Sequence, residues 1–226
     1  MCDNIIRLKN VIKNYTLGKT TVKALRGVTL EIKRGDFTAI MGPSGSGKTT
    51  LLNLIGCLDK PTSGAVFFEG KDISKLNVDR LAGIRSAKIG FVFQHFNLIP
   101  VLSIFENVEF PLLLKKLGKV ERLERIYHAL QMVGLEDKAS RKPLELSGGE
   151  QQRVAVARAL VSKPDVILAD EPTGNLDSNT GDKIIHLMRS LNKKESTTFI
   201  FSTHDPTIME CASKVVKLHD GEIVRE

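Results

Sequence analysis

Tryptophan is absent from this chain, tyrosine occurs twice and cysteine three times. The shortage of aromatics weighs against nucleic acid, because base-binding surfaces interleave basic residues with aromatic platforms. Cys2, Cys57 and Cys211 are widely spaced and form no C-x-x-C pair, so neither a disulfide framework nor a zinc site is suggested. They read as reduced thiols of a cytoplasmic protein. Cys2 follows Met1 without the apolar segment of a signal peptide and does not read as a lipidation site. No apolar run approaches the roughly 18 residues of a membrane helix. Internal repeats and low-complexity linkers are missing too.

What remains is an ordinary globular composition. The 226 residues are 42% hydrophobic and 26% charged, enough for one α/β domain with a sizeable core and a small inserted subdomain. The formal charge of +7 fits a nucleotide-binding protein facing anionic lipid at least as well as it fits nucleic acid.

The densest signal is Met41-Gly42-Pro43-Ser44-Gly45-Ser46-Gly47-Lys48-Thr49-Thr50. It matches the phosphate-binding pattern G-x-x-x-x-G-K-[ST]. Phe37–Met41 before it has buried-strand character, and Thr50–Ile55 after it starts a helical pattern. A chance Gly/Ser turn has no reason to sit between a strand and a helix. Glycines let successive N–H groups turn toward a phosphate, and the helix N-terminus adds partial positive charge. Lys48 is placed to reach the β- and γ-phosphates, and the Thr49 hydroxyl to sit on Mg²⁺.

Upstream, Asn4–Tyr15 alternates loosely as a strand, and Thr20–Ile32 reads as one or two more. Tyr15 is a core aromatic or a stacking platform for a purine; the residue alone favours core. Downstream, Val78–Lys88 is helical in pattern and Ile89–Phe93 is a short buried strand ending at Gln94. His95–Lys142 then lacks clear strands. Its plainest helix, Glu121–Val133, places Leu123, Ile126, Tyr127, Leu130 and Val133 on one face. Lys115, Lys116, Lys119, Arg122 and Arg125 read as a solvated face.

Leu146-Ser147-Gly148-Gly149-Glu150 opens another helix, with Ser147 as N-cap and Glu150 closing a capping box. A capped helix does not explain two glycines in its first turn, which cost stability unless backbone N–H groups must approach an anion. Val166–Ala169 is a buried strand ending in Asp170-Glu171, at the edge where α/β folds bind ligands. Asp170 is suited to hold Mg²⁺ through water, and Glu171 to polarise an attacking water. Asn175-Leu176-Asp177 precedes a helix over Ser178–Leu191. The strand Thr198–Phe201 leads to His204, held at a corner by Asp205 and Pro206 as N-cap and N1. Lys214–Leu218 and Glu222–Val224 close the chain as a hairpin across Asp220-Gly221.

In order and spacing these pieces resemble the nucleotide-binding subunit of ATP-binding-cassette (ABC) transporters, over nearly the whole chain. The L-S-G-G-E signature at Leu146–Glu150 is the specific part, because other phosphate-loop enzymes lack it. A GTPase needs Asn-Lys-x-Asp; the nearest run, Asn192-Lys193-Lys194-Glu195, ends in Glu and is expected after a helix rather than a strand. The resemblance implies an α/β phosphate-loop NTPase (RecA-like) core with an N-terminal antiparallel β subdomain and an inserted α-helical subdomain. The chain is then a single domain, with the helical part at about 95–160 and the core at about 1–94 and 161–226.

The resemblance also implies ATP and Mg²⁺ as ligands and a head-to-tail dimer that closes around two ATP molecules. Gly42, Pro43, Ser44, Gly45, Ser46, Gly47, Lys48, Thr49 and Thr50 would hold the phosphates. Tyr15 matches the adenine-stacking aromatic, which reverses the reading from the residue alone. Ser147, Gly148, Gly149, Glu150 and Asp177 would serve the partner's nucleotide across the seam. Thr49, Gln94 and Asp170 would attend Mg²⁺, and Glu171, His204 and Gln94 the hydrolysis. Glu150 stands where many members have Gln, a common variation.

Ala39–Lys48, Leu54–Pro61 and Phe91–Pro100 look like the lipoprotein-release and macrolide-export branch. Its members pair with permeases thought to convert ATP-driven closure into mechanical motion across the membrane. The implied partners are a second copy of the chain and an integral membrane permease, with a periplasmic or extracellular adaptor as a further candidate and no nucleic acid. The implied location is cytoplasmic, on the inner face of the cell membrane. The alternative is a regulatory or scaffold ATPase of the same type, in cell division for example. The segment Phe96–Leu117 is rich in large apolar residues, and part of it, around Phe96–Val101 and Phe105, is expected to line a groove for a short permease helix.

Overall fold

A computed structural model of the chain describes residues 4–18 and 20–224, so Cys2 lies outside the described residues. The chain begins with two long strands, β1 (Asn4–Leu17) and β2 (Thr20–Lys33), paired antiparallel. The second is one continuous strand where the sequence left one or two open. Then come β3 (Phe37–Met41), α1 (Lys48–Ile55), β4 (Ser63–Phe68), β5 (Lys71–Asp72), α2 (Val78–Lys88) and β6 (Ile89–Phe93). A helical stretch follows, with α3 (Ile104–Glu109), α4 (Lys119–Met132) and α5 (Gly148–Leu160). The chain ends with β7 (Val166–Asp170), α6 (Ser178–Glu195), β8 (Thr198–Thr203), α7 (Pro206–Cys211), β9 (Lys214–His219) and β10 (Glu222–Val224).

Two sheets result. One is four-stranded and antiparallel, in the order β2-β1-β4-β5; the other is six-stranded, in the order β10-β9-β3-β8-β7-β6, and parallel from β9 to β6. The central parallel strands read as unbroken apolar runs because both faces are covered. Alternate residues point to opposite sides. Phe37, Ala39, Ile167, Ala169, Phe199 and Phe201 join the cluster packed with the later helices. Ile40, Val166, Leu168 and Ile200 join the cluster under α1, α2 and the antiparallel sheet. Phe37 meets Phe199 and Phe201 at ring-centroid distances of 5.7 and 4.5 Å, which locks the middle of the large sheet. The fold is the mixed α/β phosphate-loop architecture that the motifs imply.

The structure changes several local readings. Tyr127 is 51% exposed and meets the Phe105 ring at a tilt of 54°, while Ala129 joins Ile126 and Leu130 on the buried face of α4, with Val133 buried just past its end. The basic residues nearby are not merely solvated. Lys115 Nζ donates to the Ser162 carbonyl at 3.1 Å, and burial pulls its pKa below the usual lysine value. Arg122 pairs with Glu109 at 2.9 Å. The Asn192–Glu195 run lies inside α6, and Asn192 Nδ2 donates to the Gly35 and Thr197 carbonyls, a tie between loops. Leu98 and Phe105 pack on the core, whereas Val101 is 72% exposed. An apolar groove of about 530 Å³ runs among Leu58, Phe91, Phe93, Phe110 and Leu114, the last two from the same apolar segment. Cys57 is buried, and burial pushes its thiol up to about 11.

Candidate functional site

Parallel pairing brings the chemistry to one edge. Met41 lies opposite Thr203, Asp170 opposite Ser202, and Phe93 opposite Asp170, so β3, β6, β7 and β8 finish within about one residue of each other. The residues that follow are Gly42, Gln94, Glu171 and His204. Motifs scattered over the sequence thus share the mouth of one sheet. They line a cavity of about 780 Å³ together with Tyr15 and the phosphate loop.

The loop is shaped for an anion. Gly47, the N-cap of α1, has φ +102°, and a Cβ there would lie 2.5 Å from the Ala24 carbonyl oxygen, so only glycine fits. No side chain caps that helix and no acid occupies its first turn, which leaves its N–H groups aimed at the cavity. Ser46 is buried with an unpartnered hydroxyl. Lys48 Nζ donates to the Gly42 and Pro43 carbonyls at 2.7 and 3.0 Å, which fixes the ammonium at the loop mouth. Thr49 Oγ1 donates to Asp170 Oδ2 at 3.2 Å, so a hydroxyl and a carboxylate converge beside the loop. These are the hard oxygen donors that Mg²⁺ selects, and the residues present fit it.

Glu171 has φ +47°, an uncommon conformation for a residue with a side chain, and its N–H donates to the Ser202 carbonyl at 2.9 Å. Its Oε2 lies 2.8 Å from His204 Nδ1; His204 is 77% exposed while Glu171 is far more enclosed. Gln94 is held by a residue that the sequence pointed to only as part of a loop. Gln94 Nε2 donates to Asn175 Oδ1 at 3.2 Å, and Asn175 Nδ2 donates back to the Gln94 carbonyl at 3.0 Å. Gly174 lies close against the Gln94 side chain; a Cβ there would come 2.7 Å from Gln94 Nε2 and displace the amide. Phe96 and Asn97 both have positive φ, at about 1–3 kcal/mol each. Arg158 of α5 holds them by donating to both carbonyls. The two segments lie some sixty residues apart, so no local pattern shows this clamp.

Ser147, Gly148, Gly149, Glu150 and Asp177 lie outside the residues that line this cavity. Ser147 caps α5: its Oγ accepts from the Glu150 N–H at 3.3 Å, and Glu150 Oε2 accepts from the Ser147 N–H at 2.9 Å. Lys138 also pairs with Glu150, and this contact together with the Ser147 N–H draws the carboxyl down to about 2. Asp177 caps α6 by accepting from the Thr180 N–H at 3.0 Å. The double glycine has a reason beyond anion binding. A Cβ on Gly149 would sit 2.4 Å from Thr180 Cγ2, and one on Gly148 3.3 Å from Leu176 Cδ2.

Comparisons with known proteins agree with this geometry. A family model described as ABC transporter matches residues 25–174. The ABC transporter ATP-binding protein MJ0796 of Methanocaldococcus jannaschii is 51% identical, over 98% of this chain and 96% of its own length. The macrolide export ATP-binding/permease protein MacB of Syntrophobacter fumaroxidans is 47% identical over 99% of this chain, which spans 32% of that longer protein. A solved dimeric structure of MJ0796, described as a post-hydrolysis state bound to ADP and Pi, matches with a TM-score of 0.88 at 50% identity, covering 97% of both chains. The chain belongs to the ABC transporter family and is one of its ATP-binding cassettes.

Proposed function

We propose that two copies of this chain close on two ATP molecules and that closure drives a membrane permease of the mechanical export type. The observation that carries this is the convergence of Lys48, Thr49, Glu171 and His204 on one cavity, with the signature helix start held outside it. A site that lacks its second wall within one subunit is completed by another. Ser147 and the N–H groups of Gly148 and Gly149 supply donors to the partner's γ-phosphate, and Asp177 lies at the seam. Residues at about 95–160 act as a helical subdomain that carries the signature toward the partner, on a RecA-like core.

Within the site, Lys48 and the loop N–H groups hold the phosphates, and Thr49, Gln94 and, through water, Asp170 would hold Mg²⁺. Bound there, Mg²⁺ would offset the negative charge of the phosphates. Glu171 accepts a proton from water, and His204 holds the Glu171 carboxylate in place from its exposed side. Ser147→Arg is expected to leave ATP binding by the single subunit intact and to abolish both ATP-dependent dimerisation and hydrolysis. Wild-type hydrolysis should rise more steeply than linearly with protein concentration. Normal hydrolysis by a variant that stays monomeric in light scattering would refute the shared site.

No helix among the described residues is long and apolar enough to cross a membrane, so the permease is a separate partner or a separate segment. The groove among Phe91, Phe93, Phe110 and Leu114 is where we place its short cytoplasmic helix. Leu114 is 90% exposed at its rim. Leu114→Asp should abolish recruitment to permease-bearing membranes while thermal unfolding and ATP binding stay at wild-type values. Unchanged recruitment would move the contact elsewhere. The likeness to MacB supports the export reading, under which the chain would work on the inner face of the cell membrane.

A further inference from the structure

Tyr15 does not stand alone at the cavity wall. Its hydroxyl donates to Asp59 Oδ2 at 2.8 Å and also meets the Thr50 side chain at the start of α1. Asp59 Oδ1 accepts from Lys13 Nζ at 2.6 Å, and Lys13 donates again to the Lys60 carbonyl at 2.9 Å. The Lys13 ammonium then lies 4.8 Å from the centre of the Tyr15 ring, over one face. A register shift between Lys13 and Asn14 bends β1 at this point, as bulges beside binding sites do. Lys13 is only 12% exposed and is not among the residues lining the cavity, whereas Tyr15 and its cross-strand neighbour Val22 both are.

We propose that Asp59, together with Lys13, is the positioning residue of the base platform: it fixes the Tyr15 ring through its hydroxyl, and Lys13 closes the far face, so that the base stacks on the cavity face alone. This rests on the reading of Tyr15 as the adenine-stacking residue and names what holds it. Three groups on separate segments, β1, the start of α1 and the turn after α1, converge on one phenol. The ring is thereby set in register with the phosphate loop, because α1 begins at that loop. Burial alone would raise the Asp59 carboxyl, but donation by Lys13 and Tyr15 keeps it below its ordinary value, so it stays an anion that both can grip. A ring ordered before binding costs the ligand less entropy than one ordered by it.

The test separates base from phosphate. ATP and tripolyphosphate share the phosphate loop, but only ATP has a base. By titration calorimetry on the full chain, Asp59→Ala should weaken ATP about five- to tenfold while tripolyphosphate stays within about twofold. The steady-state loss should fall on KM, with turnover at saturating ATP retained. Tyr15→Phe keeps the stack and removes the hydroxyl, so it should weaken ATP similarly, and the double variant should be no worse than Asp59→Ala alone. Asp59→Asn, which keeps an oxygen for the hydroxyl, should recover part of the loss. Equal losses for ATP and tripolyphosphate, or additive losses in the double variant, would overturn the proposal. If Tyr15→Ala leaves the ATP-to-tripolyphosphate ratio unchanged, the platform reading itself falls, and the role of Asp59 with it. If Tyr15→Ala lowers that ratio and Asp59→Ala does not, only the role of Asp59 falls.

Discussion

Glu171→Gln is expected to bind ATP normally and to lose hydrolysis by about 10²- to 10⁴-fold, the usual worth of a positioned general base. The amide keeps the shape of the side chain and one acceptor but cannot take a proton from water. The surroundings favour a clean result. Glu171 is held by its own N–H on the Ser202 carbonyl and by His204 at 2.8 Å, and the amide can keep one contact to the imidazole. With hydrolysis stopped, ATP should trap the closed dimer as a distinct species on size exclusion. Single-turnover hydrolysis at the wild-type rate would mean that another group activates the water. His204 would be the nearest candidate.

Lys48→Ala is expected to weaken ATP binding by about a hundredfold or more, because charge-assisted bonds to phosphate oxygens are worth more than neutral ones. The loop N–H groups carry only partial charge and cannot replace a full positive one. Lys48 also donates to the Gly42 and Pro43 carbonyls, so its removal loosens the loop it crosses. Nucleotide titration checks the affinity, and thermal unfolding without nucleotide separates a looser loop from a damaged fold. Unchanged affinity for ATP would remove Lys48 from the phosphate site.

Much of the site was legible because its signals are local. The phosphate loop, the capping box at Ser147 and Glu150, and the acids at the end of β7 each depend on residues within one turn of a helix or the end of one strand. Backbone geometry demands particular side chains there, so the demand shows in the sequence. The buried strands were legible for a similar reason: parallel strands covered on both faces must be apolar throughout.

The contacts that the sequence concealed run between distant segments. Asn175 with Gln94, Arg158 with the Phe96 and Asn97 carbonyls, Lys138 with Glu150, and Asp59 with Tyr15 each join residues that no periodicity connects. Which part of Phe96–Leu117 lines a groove was not legible for the same reason. Leu98 and Phe105 are as apolar as Phe110 and Leu114, and hydrophobicity does not say which side chains the core will cover. Gly149 carries both lessons. Its place in a helix start points to an anion, but the 2.4 Å that a Cβ would leave to Thr180 Cγ2 exists only once α5 packs on α6. By itself the sequence determined which backbone segments turn, cap and take the phosphate-loop shape, because those are near-neighbour demands. Which side chains hold those segments against one another was decided by packing, where the partner is chosen by space and not by sequence distance.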